Sequence, residues 1–139
     1  MTKQTTKSLT LTSSFEQVSR VESFVDELQE WIGFDQDMYG NILLALNEAV
    51  TNAIVHGNNE DEQKNVFITA VHEVPKLKVS IQDEGKGFDP SSLPDPLEDE
   101  NLLKEGGRGV YLMEQFADEV TYSEGGTRIT IEFLIDEQQ

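Results

Sequence analysis

The apolar positions of this 139-residue chain change period from segment to segment, and each change marks an element. Ser8 to Ser14 (SLTLTSS) alternates and is rich in Thr, which predicts a short first strand with Ser14 at an N-cap position. Phe15, Val18, Val21, Phe24, Val25, Leu28 and Trp31 then recur at three- and four-residue spacing, so an amphipathic helix is expected up to Gly33. Asp35 is the expected N-cap of a second helix continuing to about Gly57, where GNNEDE supplies a turn. Val66 to Val74 and Lys76 to Gln82 are β-branched runs that predict an antiparallel hairpin turning at Pro75. A helix over Val110 to Phe116 and a closing hairpin complete the pattern; its strands are Glu119 to Ser123 and Thr127 to Ile135, turned at Glu124-Gly125-Gly126. Strands lead, helices cover and strands close. Adjacent hairpins with helices packed on one face make an α+β fold, a two-layer α/β sandwich rather than a doubly wound parallel sheet. There is no internal repeat, and the length suits a single domain over residues 1–139.

The second helix carries more than packing residues. Leu43 to His56 (LLALNEAVTNAIVH) places Glu48, Asn52 and His56 at four-residue steps, hence on one face, among apolar neighbours that belong in a core. Asn52 offers an amide oxygen, a hard ligand suited to Mg2+ that keeps waters and phosphates. Glu48, one turn earlier, could take a proton from a hydroxyl or water attacking a phosphate nearby. On their own, a Glu and an Asn on a helix also describe a solvated face. His56 fits better as a cap interacting with the helix dipole. His72 alternates with apolar residues on a predicted strand and carries no functional assignment.

Composition narrows the partners. The 27 acidic against 10 basic side chains give a formal net charge of -17, which argues against nucleic acid and anionic membrane as partners, since both require a basic surface. A nucleotide could bind only where backbone N–H groups, a helix N-terminus or a metal ion offset the local field. The chain has no cysteine, hence neither a disulfide framework nor a thiolate metal site. No apolar run approaches membrane-spanning length, and MTKQTTKSLT lacks the apolar core of a signal peptide. The expected location is the cytoplasm.

Two glycine clusters meet the charge constraint. In Asp83-Glu84-Gly85-Lys86-Gly87 a carboxylate leaves the end of a predicted strand, and the glycines let the backbone bend sharply or approach a ligand. A strand-terminal Asp can accept a hydrogen bond from an exocyclic amine such as that of adenine; a plain turn has the same composition. Gly106-Gly107-Arg108-Gly109 precedes a helix and so offers free N–H groups and the positive end of a dipole to a phosphate chain. A flexible loop is the alternative there, and Arg108 reads equally as a phosphate partner or a solvated side chain. Between the clusters, Pro90 to Glu105 (PSSLPDPLEDENLLKE) is rich in Pro, Ser and acid, the composition of a functional or disordered loop with room for a short helix at Leu97 to Leu103. Neither cluster fits GxxxxGK[ST], and GKGFDP lacks the third glycine and following helix of a dinucleotide fingerprint.

Taken together, Glu48-x-x-x-Asn52, DxGxG at Asp83 to Gly87 and GGRG at Gly106 to Gly109 resemble the ATP-binding boxes shared by gyrase, Hsp90, histidine kinases and MutL. Within that superfamily, ALNEAVTNAIVHG, DEGKGFDPSS and GGRGVYLM are similar to the small bacterial anti-sigma factor serine/threonine kinases, and the resemblance covers essentially the whole chain. It implies the Bergerat fold, a mixed, mainly antiparallel sheet covered by helices on one face. It implies ATP and Mg2+ as cofactors, Glu48 as general base, Asn52 as Mg2+ holder and Asp83 as reader of the adenine amine. Gly85 and Gly87 would lie against the nucleotide, residues 90–105 would form the ATP lid, and Gly107 and Gly109 would cradle phosphates with Arg108 nearby. Thr127 matches a residue that supports the adenine-binding Asp.

The implied partner is a small anti-anti-sigma protein of the STAS type carrying the acceptor hydroxyl, with sequestration of a sigma factor and homodimerisation as further implied properties. Histidine kinases carry a helical dimerisation segment with the accepting histidine, and gyrase and MutL relatives add a transducer domain. With neither in this chain, the acceptor is expected on another protein. The competing reading is a regulatory module that uses nucleotide to set its affinity for a partner, in a circuit without a sigma factor. Glu48 opposes that reading, because a pure binder has no use for a base there. A structural domain with accidental motifs predicts no nucleotide-dependent melting shift.

Overall fold

The computed structural model describes residues 5–85 and 116–135. Among the described residues five strands and two main helices follow in the order β1 (Thr5–Thr12), α1 (Ser19–Ile32), α2 (Gln36–Asn52), β2 (Asn65–Glu73), β3 (Lys76–Gln82), β4 (Glu119–Ser123) and β5 (Arg128–Leu134). The strands form one sheet in the order β1-β2-β3-β5-β4, and all four pairings are antiparallel. This is the expected α+β sandwich with a mainly antiparallel sheet.

The alternation read from sequence decides which sheet face is covered. Val66, Ile68 and Ala70 of β2, Leu77, Val79 and Ile81 of β3, and Ile129, Ile131 and Phe133 of β5 are buried, and with the apolar sides of α1 and α2 they form the core. The alternate positions make the opposite face mostly polar, with Phe67 and Leu134 exposed on it. The pairing registers line up Ser8, Thr69, Ser80, Thr130 and Thr121 across all five strands, with Ser80 Oγ 3.2 Å from Thr130 Oγ1.

Both helix starts follow their sequence signals, with one shift. Asp35 caps α2, its Oδ1 accepting from the Met38 N–H at 2.9 Å. Ser14 caps a 3-10 turn, Phe15–Val18, and the α-helix begins only at Ser19. Each residue of a 3-10 turn advances further around the axis than in an α-helix. Phe15, expected on the apolar stripe, consequently falls out of phase and is 60% exposed. Gly33 ends α1 at φ 90°, the left-handed conformation that glycine adopts without strain. Trp31 packs edge-on against His72, ring centroids 5.9 Å apart, so His72 serves the helix–sheet interface.

Candidate nucleotide site

The second helix does not end as a regular α-helix. After Asn52, its last residue, the backbone widens into a π turn over Ala53–Gly57, and the Asn58 N–H reaches back to the Ala53 carbonyl at 2.8 Å. The wider turn carries Gly57 and Asn58 to the end of β3, where Asp83 leaves the sheet. Gly57 and Gly85 make the approach possible. An ideal Cβ on Gly57 would lie 2.5 Å from Asp83 Cγ, and one on Gly85 would lie 2.6 Å from the Gly57 carbonyl carbon. A side chain at either position would force the helix end and the strand exit apart.

Asp83 is held from both sides. Its N–H donates to the Thr127 carbonyl at 2.9 Å, and its Oδ1 accepts from the Gly85 N–H at 2.8 Å. Burial pushes the Asp83 carboxyl above the usual aspartate range, against the opposing effects of the Gly85 hydrogen bond and the positive charge of Lys64. A half-buried carboxylate at a strand end, aimed by its own loop, can accept a hydrogen bond from a ligand amine. The Thr127 hydroxyl accepts from Gln82 Nε2 at 2.7 Å and donates to the Glu124 carbonyl at 2.8 Å. Thr127 thus supports Asp83 through its backbone carbonyl.

Glu48 and Asn52 lie on α2 upstream of the π turn, at half-buried positions on one face. Leu44, one turn before Glu48 on the same line, is exposed. Among the described residues no group of three or more His, Asp or Glu could hold a metal ion. Asn52 offers one amide oxygen, which fits an ion such as Mg2+ that takes most of its ligands from water and phosphate. His56, on the π turn, is exposed. Gly87, Gly107, Arg108 and Gly109, the loop at 90–105 and all but Phe116 of the helix expected over Val110 to Phe116 lie outside the described residues.

Two site residues escape sequence reasoning. Gly57 and Asn58 read as the first residues of a polar turn, yet Gly57 admits the Asp83 carboxylate and Asn58 is fully buried. A His-Gly pair closing a helix was the available signal; only tertiary contact reveals what it faces.

Comparison with known proteins identifies the family. The family model described as histidine kinase-like ATPase domain matches residues 11–133. The chain belongs to that family. Among its relatives are the proteins named serine-protein kinase RsbW from Staphylococcus aureus strains JH9 and Newman, each 31% identical, with the match covering 91% of this chain and 85% of theirs. The solved structure of the RsbU and RsbW domains of Rv1364c from Mycobacterium tuberculosis shares the fold at a TM-score of 0.65 and 19% identity. That match covers 93% of this chain but 31% of the larger one. Membership in the histidine kinase-like ATPase family implies that the protein uses ATP.

Proposed function

We propose that this protein is an ATP-dependent serine/threonine kinase of the anti-sigma factor type, acting on a STAS-type anti-anti-sigma partner. The observation that carries the proposal is the convergence of Asp83 on the end of the helix that bears Glu48 and Asn52, made possible by Gly57 and Gly85. Support comes from the likeness to proteins named as serine-protein kinases, over most of both chains.

In this reading Asp83 accepts a hydrogen bond from the adenine amine, Gly85 and Gly87 serve the nucleotide, Gly107, Arg108 and Gly109 serve its phosphates, and residues 90–105 act as the ATP lid. Asn52 would hold Mg2+, which would supply positive charge to offset that of the transferred phosphoryl group. Glu48 takes the proton of the partner's hydroxyl as its oxygen bonds to the γ-phosphorus, and ADP leaves. The protein works in the cytoplasm as a homodimer, and sequestration of a sigma factor accompanies the kinase activity.

The test is transfer. Purified protein supplied with Mg-ATP and a STAS-type partner protein should move the γ-phosphate to a serine or threonine of that partner. Normal ATP binding with no transfer would refute the kinase and leave a nucleotide-dependent binding module.

A further inference from the structure

Asn58 is fully buried directly after Gly57, and a buried carboxamide is costly unless its polar atoms are all bonded. Here they are. Asn58 Oδ1 accepts from the Glu84 N–H at 2.7 Å, and Nδ2 donates to Ser13 Oγ at 2.8 Å and to the Asn65 carbonyl at 3.0 Å. The partners fix the orientation of the amide, because the Glu84 N–H can only donate and the Asn65 carbonyl can only accept. One side chain therefore ties together the segment after β1, the end of α2, the start of β2 and the exit from β3. Ser13, also fully buried, extends the tie by donating from Oγ to the Lys64 carbonyl at 2.7 Å.

Glu84 stands between Asp83, which faces Gly57, and Gly85, whose N–H orients the Asp83 carboxylate. Its amide is the one point at which the helix end holds this segment by a buried side chain among the described residues. A second tie, from the Asn65 N–H to the Glu84 carboxylate, is exposed. We propose that Asn58 is a positioning residue for nucleotide binding, its carboxamide fixing the Asp83–Gly85 segment against Gly57 so that Asp83 meets the adenine amine. The proposal rests on the reading of Asp83 given above.

Three simple replacements do not fit the role. Alanine strands the Glu84 N–H and the Asn65 carbonyl, aspartate turns a carboxylate oxygen toward that carbonyl, and glutamine is one carbon too long for the same partners.

The experiment compares wild type, Asn58→Ala, Ser13→Ala and Asp83→Asn for melting temperature and for affinity toward ATP and inosine triphosphate, which lacks the 6-amino group. Ser13→Ala removes part of the same buried network without touching Glu84, and should lower the melting temperature while keeping ATP affinity and the preference for ATP. Asn58→Ala should weaken ATP binding about tenfold or more and lose most of that preference, the consequence of a binding group displaced by a fraction of an ångström. Equal behaviour of Asn58→Ala and Ser13→Ala, with preference intact, overturns the positioning role while leaving the Asp83 reading standing. Absence of any preference in the wild type overturns the Asp83 reading and the positioning role with it. Amide hydrogen exchange on the wild type covers the case of a variant that does not fold. The Glu84 N–H should exchange slowly without nucleotide, and exchange at the rate of an exposed loop amide overturns the proposal.

Discussion

Asp83 shows at the scale of one residue how a half-buried carboxylate is kept at the expense of the fold. Because burial raises its pKa, the native state holds the Asp83 proton more tightly than the unfolded chain does. Its contribution to stability is therefore full below the ordinary aspartate range and is lost as pH rises through the native value. Asp83→Asn should melt above wild type at neutral pH, by a margin that closes on acidification, while its ATP affinity falls. Thermal melts at neutral and acidic pH, paired with ATP titration, check both halves.

The same residue marks what the sequence could reveal. Asp83, Gly85, Glu48 and Asn52 were legible because their spacing repeats a known arrangement, whereas Asn58 was not, because nothing in GNNEDE distinguishes a buried asparagine from its exposed neighbour Asn59. Thr127 was legible by position only: its hydroxyl turns to Gln82 and Glu124, a choice that depends on the turn at Gly125.

At the scale of elements, local signals set the helix ends and long-range pairing sets the sheet. Asp35 and Gly33 act as sequence predicts, since caps depend on neighbours a few residues away. Asp35→Ala should cost about 1 kcal/mol of stability and leave ATP affinity unchanged, measured by denaturant unfolding and nucleotide titration. The first strand extends from Thr5 to Thr12 rather than from Ser8, because its length is fixed by pairing with β2, from Thr5 opposite His72 to Thr12 opposite Asn65. The end of α2 was read as a simple stop near Gly57. Its widening into a π turn is the feature that brings Gly57 to Asp83, and periodicity carries no sign of it. The hairpin of β4 and β5 matches its expected span to within a residue, as glycine-rich turns between β-branched runs allow.

For the whole molecule, the net charge of -17 sets the conditions of stability. With 27 acidic against 10 basic side chains, most acidic groups cannot each have a basic partner; among the described residues the ion pairs are Lys7 with Glu27 and Lys76 with Glu132. On the polar sheet face Glu119 lies opposite Glu132, and the hydrogen bond between them, with their mutual repulsion, holds the Glu119 carboxyl above its usual range. Screening should relieve such repulsion. Raising NaCl from about 0.02 M to about 0.5 M should raise the melting temperature by about 3 °C or more, and an unchanged or lower value would show that repulsion is not limiting. No helix among the described residues is long and apolar enough to cross a membrane, in keeping with the polar surface.

Glu48 is the group proposed to separate a kinase from a binder on the same scaffold. Its most direct test is a parallel measurement, on wild type and Glu48→Ala, of ATP affinity and of the rate of phosphoryl transfer to the STAS-type partner. Glu48→Ala should bind ATP within about twofold of wild type and transfer phosphate at least about a hundredfold more slowly, the loss expected for a general base. Transfer at the wild-type rate, or loss of ATP binding in step with transfer, would contradict the role assigned to Glu48.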